Sequence, residues 1–140
     1  MENYASILKE KGFVIANIYG TSMYPMLRQG IDTVHIVKIN DKLKRNDVIL
    51  FQRDNGKYVL HRLLKFKNGK YVFCGDNQFK KDYTIKDHNL IGIMDGFYRK
   101  EKYISKNNFW YKVYYHLVPI FRPFVFIKYC FKKIFTKKGK

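Results

Sequence analysis

The sequence predicts a mostly β chain with few helices, on three observations. Segments rich in β-branched and aromatic residues recur from Phe13 to Tyr98, Asn-Gly pairs sit between some of them, and the helix signals lie at the two ends. A chain of 140 residues suggests one domain with an appended tail, and the change of character near residue 105 divides it into 1–104 and 105–140.

Asn3 to Lys11 forms one short helix in this reading, with Tyr4 and Leu8 on one face and Gly12 as its stop. Phe13 to Tyr19 reads as a strand, followed by a Ser-Met-Tyr-Pro turn. Thr33 to Ile39 is a second strand and Val48 to Gln52 a third. Asn55-Gly56 and Asn68-Gly69 then read as two-residue turns, because both residue types tolerate positive φ. An antiparallel meander therefore runs from about 47 to 74, and Leu90 to Tyr98 closes the sheet.

Charge is the unusual part of the composition. Twenty-eight Lys and Arg against 11 Asp and Glu give +17, a balance that favours polyanions or an anionic membrane surface. Cys74 and Cys130 are far apart and outside any Cys/His ligand pattern, so no metal site is expected and two buried thiols are favoured over a disulfide. No cofactor is expected either. The N-terminal residues are acidic and basic without a long apolar run, unlike a secretory signal peptide, and Phe13 to Tyr19 is far shorter than the ~20 residues a membrane span takes.

From Asn107 onward no acidic residue occurs, and aromatics alternate with Lys112, His116, Arg122 and Lys128 around Pro119 and Pro123. A spanning helix would bury those cations at roughly 2.5–3.5 kcal/mol each. The prolines are expected to interrupt any single helix. One or two amphipathic helices in a membrane interface are favoured, with Trp110 and the tyrosines at headgroup level. A helical hairpin packed on the β domain is the alternative.

Ser22, in GTSMYPML, raises the question of chemistry. A serine by a turn is ordinarily structural, and its hydroxyl is a poor nucleophile until a base removes its proton. Here Gly20 would let a peptide backbone approach, Met23 would form a flexible apolar wall, and Pro25 would fix the exit of the turn. Among four histidines, His61 sits in the central strand of the meander, His35 is its weaker competitor, His88 lies in a polar loop and His116 in the tail. His61, followed at once by Arg62, reads by itself as a half-exposed strand residue. Asp76 and Asp82 follow a strand end, and an aspartate there could orient an imidazole, although Gly-Asp-Asn alone reads as a turn.

Taken together, GTSMYPML, NDVILFQ, YVLHRLLKF and CGDNQFKKD, in this order, resemble the signal-peptidase-like serine endopeptidases over roughly Gly20 to Tyr98. His61 follows Ser22 by 39 residues, close to the family's nucleophile-to-base interval, and Asp82 follows Asp76 by six. A histidine where many members carry lysine is similar to the Ser-His-Asp branch of the type I signal peptidases. The resemblance implies coiled antiparallel sheets of the signal-peptidase and SOS-repressor-protease type. It assigns Ser22 as nucleophile, His61 as base, Asp82 as orienting acid and Asp76 as a supporting aspartate. It also implies an extended segment of a precursor protein as partner, docked as an added strand and cut after small residues. The backbone N–H of Ser22 would hold the oxyanion, with Thr21 a candidate for the second donor, since Gly20 offers no side-chain hydroxyl.

On this resemblance the chain is expected to be a serine protease that processes signal or leader peptides. Signal peptidases usually carry an N-terminal membrane anchor, which is not expected here. The basic segment 107–140 instead favours peripheral association with the cytoplasmic face of a bacterial membrane, where each Lys or Arg contributes about 1 kcal/mol. A specialised processing peptidase for small peptide precursors is the alternative within the same chemistry. Two other classes are weaker. A nucleic-acid-binding module lacks any visible motif, so no nucleic acid is expected. An autoproteolytic repressor-like domain would need a recognition domain ahead of residue 20 and a lysine in place of His61. His61 itself is expected to titrate near 6.5, modified by Asp82.

Overall fold

A computed structural model describes residues 3–138, and in its last helix the side chains at 129, 131 and 133–138 are outside the described set. Its chain order is α1 (Tyr4–Lys11), β1 (Phe13–Asn17), β2 (Asp32–Val37), β3 (Val48–Gln52), β4 (Tyr58–Lys67), β5 (Lys70–Cys74), β6 (Leu90–Arg99), β7 (Lys102–Ser105) and α2 (Phe109–Lys138), with one 3-10 turn at Asp87–Asn89. The strands form one open antiparallel sheet in the order β1-β2-β6-β3-β4-β5, with β7 also pairing β6.

Local chemistry accounts for the ends of α1. Asn3 accepts a hydrogen bond from the Ser6 N–H, and Gly12 closes the helix in the left-handed conformation. Leu8 is buried and Tyr4 packs edge-on against Tyr58 of β4. In β1 the buried residues are Val14 and Ala16, so one face meets the core and the other is open. The run Val48–Phe51 is buried throughout because β3 is covered on both faces. Val48 and Leu50 join the larger core with Met23, Leu27, Val34 and Ile36, while Ile49 and Phe51 join a smaller one with Leu63, Phe73 and Ile85.

The antiparallel meander β3-β4-β5 forms as expected, but its first turn differs and sets Gln52 opposite Tyr58. Asn68 and Gly69 both have positive φ and join Lys67 to Lys70 directly. At the first hairpin only Gly56 is left-handed, its N–H donates to Arg53 O, and the Arg53 N–H donates to Lys57 O. The loop is therefore longer than two residues and carries Arg53 at its entrance. A further hairpin, through left-handed Lys100, adds the unanticipated strand β7.

The tail differs most from expectation. A single helix passes through both Pro119 and Pro123 rather than ending at them. Both prolines are exposed and four residues apart, so the carbonyls they leave without an N–H donor lie toward a stripe that water can reach. The first half of α2 packs on the sheet through buried Tyr111 and Val118. Both cysteines are free thiols; Cys74 is buried, but Cys130 is only half-buried.

Two arginine–carboxylate pairs clamp the β framework, one half-buried and one fully buried. Arg99 of β6 grips Asp32 of β2 through Nε and Nη2, each at 3.0 Å. Arg62 of β4 grips Asp76 through Nε at 2.8 Å and Nη2 at 2.9 Å, with neither side chain more than 1% exposed. Removing one member of such a pair strands the other charge in the interior. Asp76→Asn is therefore expected to destabilise the fold by ~3–5 kcal/mol, measured by urea unfolding. A loss under about 1 kcal/mol, the scale of a surface pair, would show that Arg62 finds solvent in the folded protein.

Candidate functional site

Ser22 lies at the head of a turn whose Met23, Met26 and Leu27 are buried while Tyr24 and Pro25 are exposed. Met23, Met26 and Leu27 insert into the core, and the Leu27 N–H donates to Met23 O, leaving Ser22 half-exposed. The Tyr24–Pro25 peptide is cis. Gly20 adopts φ +78, which explains the glycine, whereas a Cβ there would meet nothing within 4 Å. That conformation alone accounts for the glycine.

Crowding is instead found at Gly75. A Cβ at that position would stand 2.5 Å from Ser22 O. The three residues of the Gly-Asp-Asn turn each have a separate task. Gly75 permits the approach, Asp76 binds Arg62, and Asn77 grips the serine turn. The Asn77 backbone N–H donates to Ser22 O at 2.8 Å and its Nδ2 donates to Thr21 O at 3.1 Å.

Arg62 uses all five of its N–H donors. Besides Asp76, Nη1 donates to Asn46 O and the Tyr111 hydroxyl, and Nη2 approaches Met26 Sδ. Burial would depress the guanidinium pKa, but Asp76 overrides it and holds the group charged. The Tyr114 hydroxyl donates to Asp76 Oδ2, and burial followed by the Asp76 charge pushes that phenol well up. Asp76 thus supports the site through Arg62, the residue next to His61.

His61 is buried, correcting the half-exposed reading. Its ring stands edge-on to Phe51, and it shares with Gly20, Thr21, Ser22 and Met23 a cavity of about 450 Å³. Its Nδ1 is buried with no hydrogen-bond partner, and so is Asp82 Oδ2. The other carboxylate oxygen, Oδ1, accepts from the Thr84 N–H at 2.8 Å and the Thr84 hydroxyl at 2.6 Å. Arg53 Nη2 stands 3.1 Å from Oδ2, an ion pair without hydrogen-bond alignment. Asp82 is placed by its backbone, which exchanges both hydrogen bonds with Phe73 of β5. Burial works to raise the Asp82 pKa, but Thr84 and the Arg53 charge prevail and lower it.

The expectation of a near-ordinary His61 is also corrected. Burial, then the Arg53 charge, lowers its pKa from 6.5 to about 4, against the smaller opposing pull of Asp82. The imidazole is neutral above that value and able to accept a proton.

The other histidines are engaged elsewhere. His35 stacks on Phe13 and stands 3.7 Å from Asp95, His88 meets Asp54, and His116 contacts Lys112 O. None of them lines the cavities at Ser22. Pro25 does not line them either, so of the proposed substrate-contacting residues only Gly20 and Met23 are brought to the cavity. Thr21 is exposed there.

Sequence reasoning missed Arg53, Arg62 and Arg122. Arg122, expected among the solvated cations of the tail, turns inward and donates through Nη1 to Cys74 Sγ, Gly75 O and Gln78 O. No groups of three or more His, Cys, Asp or Glu that could hold a metal occur among the described residues. Comparisons with protein-family models, curated proteins and solved structures find no match to the chain.

The His61 pKa can be checked by NMR titration of its ring protons. A midpoint near 4 is expected in the wild-type chain, rising toward the ordinary value in Arg53→Gln, where a depressing charge is gone. An unchanged midpoint in that variant would remove Arg53 from the site's electrostatics. Because the unfolded chain binds this proton more readily, His61 favours folding fully above 6.5. That contribution, up to roughly 3 kcal/mol, fades as pH falls toward 4.

Proposed function

We propose that the chain is a serine endopeptidase in which Ser22 attacks a peptide carbonyl, His61 takes the serine proton, and Asp82 steadies the imidazolium. The observation that carries this reading is the cavity shared by Ser22 and a buried, neutral His61. Nδ1 of that histidine has no hydrogen bond and Oδ2 of Asp82 has only its ion pair with Arg53, one able to donate and the other to accept.

In the reaction, the Ser22 hydroxyl adds to the scissile carbonyl as its proton passes to His61 Nε2. The same proton then goes to the leaving amine, and water repeats the sequence on the acyl-enzyme. Charge on the tetrahedral oxygen would be met by the Ser22 N–H, with Thr21 a candidate second donor. Asp82 strengthens His61 as a base when it exchanges Arg53 for Nδ1. A carboxylate hydrogen-bonded to the imidazole raises its pKa, opposing the burial that lowers it. Arg53 in this reading is a resting-state partner of Asp82.

The substrate class follows from the resemblance to the signal-peptidase-like enzymes, whose coiled-sheet fold is part of the same proposal. A precursor segment would bind as an extended strand and lose a signal or leader peptide, or, in a more specialised role, a small peptide precursor would be trimmed. Association with an anionic membrane surface belongs to this reading. Leu117, Ile120, Phe124 and Ile127 of α2 recur at helical spacing and are 39–66% exposed, and Trp110 beside them is 75% exposed. No described helix is long and apolar enough to cross a membrane. Residues 139–140 of the expected membrane-binding segment lie outside the described residues.

Two experiments test these statements. Ser22→Ala is expected to lower peptide turnover by ~10⁴-fold or more while circular dichroism and the unfolding midpoint stay unchanged. Turnover equal to wild type would end the proposal. Sedimentation with phosphatidylglycerol vesicles is expected to pull down the wild-type chain and to fall sharply in Trp110→Ser/Phe124→Ser. Binding that ignores both residues would remove α2 from the membrane contact.

A further inference from the structure

Thr21, Ser22, Arg53 and Gln78 line two cavities at once, so Ser22 sits at a seam. The walls on either side differ in charge. The first cavity is faced by Ala16, Ile18, Met23, Ile36, Leu50 and Leu60, with Arg53 and Lys57 as its cations. The second, about 1020 Å³, lies between the 77–84 loop and α2 and is lined by Arg53, Lys80, Lys81, Lys128 and Lys132. Its one carboxylate, Asp82, is already engaged by Thr84 and Arg53.

We propose that the second cavity is a subsite for acidic peptide residues. The preferred substrate then carries apolar side chains on one flank of the scissile bond and Asp or Glu on the other. The inference rests on the endopeptidase reading and names a substrate class for that site.

Charge complementarity and position support it together. Cations of one sign converging in a cleft raise the local potential for an anion well above that of scattered surface lysines. These cations come from three separate parts of the chain: the β3–β4 loop, the 77–84 loop and α2. An extended peptide crossing Ser22 must lie in both cavities; one half would meet a wall whose cations are Arg53 and Lys57, the other a wall that adds Lys80, Lys81, Lys128 and Lys132 to Arg53. An acidic side chain in the second cavity would also compete with Asp82 for Arg53, releasing the carboxylate that the triad needs. A peptide is favoured over a lipid headgroup because the cavity opens onto the Ser22 turn. The exposed apolar stripe of α2, by contrast, includes Ile120 and Phe124, which do not line it.

The test measures binding without turnover. The full chain carrying Ser22→Ala is titrated at low salt into fluorescent peptides that share one apolar half and differ in the other, which is acidic, neutral or lysine-bearing and placed at either end. One acidic arrangement is expected to bind about tenfold or more tightly than its lysine counterpart, as a focused cationic field requires. Lys80→Glu/Lys81→Glu, at two exposed positions, is expected to abolish that preference while sparing the neutral peptide. Lys128→Glu on α2 is expected to weaken it independently. Equal binding of acidic and lysine peptides, or a preference that survives both sets of reversals, overturns the proposal. Loss of phosphatidylglycerol vesicle binding in Lys80→Glu/Lys81→Glu, with no acidic-peptide preference in the parent, overturns it too and assigns the cavity to headgroups. Failure of the endopeptidase reading would show separately, as a wild-type chain that binds the acidic peptide and leaves it uncut.

Discussion

The buried Arg62–Asp76 pair is the constraint on which the arrangement depends. Its geometry joins five parts of the chain that share no continuous secondary structure. Arg62 belongs to β4, Asp76 to the loop after β5, Asn46 to the connection before β3, and Tyr111 to α2, with Met26 of the serine turn against the same guanidinium. An unpaired guanidinium in this position would cost several kcal/mol. Full satisfaction of its donors turns that penalty into specificity, because few other packings supply all the acceptors. The pair also sets distances that matter for chemistry. It fixes the strand carrying His61 against the loop whose Asn77 holds the carbonyls of Thr21 and Ser22.

Much of the sheet was legible because local and global signals agree. Alternation in β1, the continuous apolar run of β3, the Asn68-Gly69 turn and the caps of α1 each have one physical reading. Where the reading failed, a tertiary contact supplied what local chemistry lacked. Lys100 and Glu101 carry no turn signal, yet Lys100 takes a left-handed conformation and β7 pairs with the end of β6. Pro119 and Pro123 should break a helix, but they share one exposed face while Tyr111, Val118 and Arg122 tie the helix to the domain.

Legibility of the site followed a similar rule. Ser22, His61, Asp76 and Asp82 stand out as a constellation of types and intervals; the fold puts His61 in one cavity at Ser22 and Asp82 in the other, and gives Asp76 to Arg62, outside both. The arginines did not stand out, because charge in a chain of +17 carries little information by position. Arg62 beside His61 reads as a sign of exposure, and only the carboxylate fourteen positions later, Asp76, explains its burial. Arg53 reads as an ordinary hairpin residue until the loop is seen to bring it to Asp82. A signal was present in Gly-Asp-Asn, but its three tasks depend on the serine turn arriving at the same place.

The electrostatics of this region can be understood as a competition for one carboxylate. Asp82 is ion-paired with Arg53, the charges of the two act on the buried His61 in opposite directions, and both His61 Nδ1 and Asp82 Oδ2 are without hydrogen bonds. Burial weakens His61 as a base and keeps it neutral, whereas alignment with Asp82 would strengthen it. In the proposed triad the carboxylate would exchange Arg53 for the imidazole. Asp82 is tied through its backbone to β5 and His61 lies within β4, whereas Arg53 is a half-buried side chain on a hairpin loop. Arg53 is thus the group whose displacement would connect, in the proposed reaction, the packing of the β framework to the basicity of the histidine.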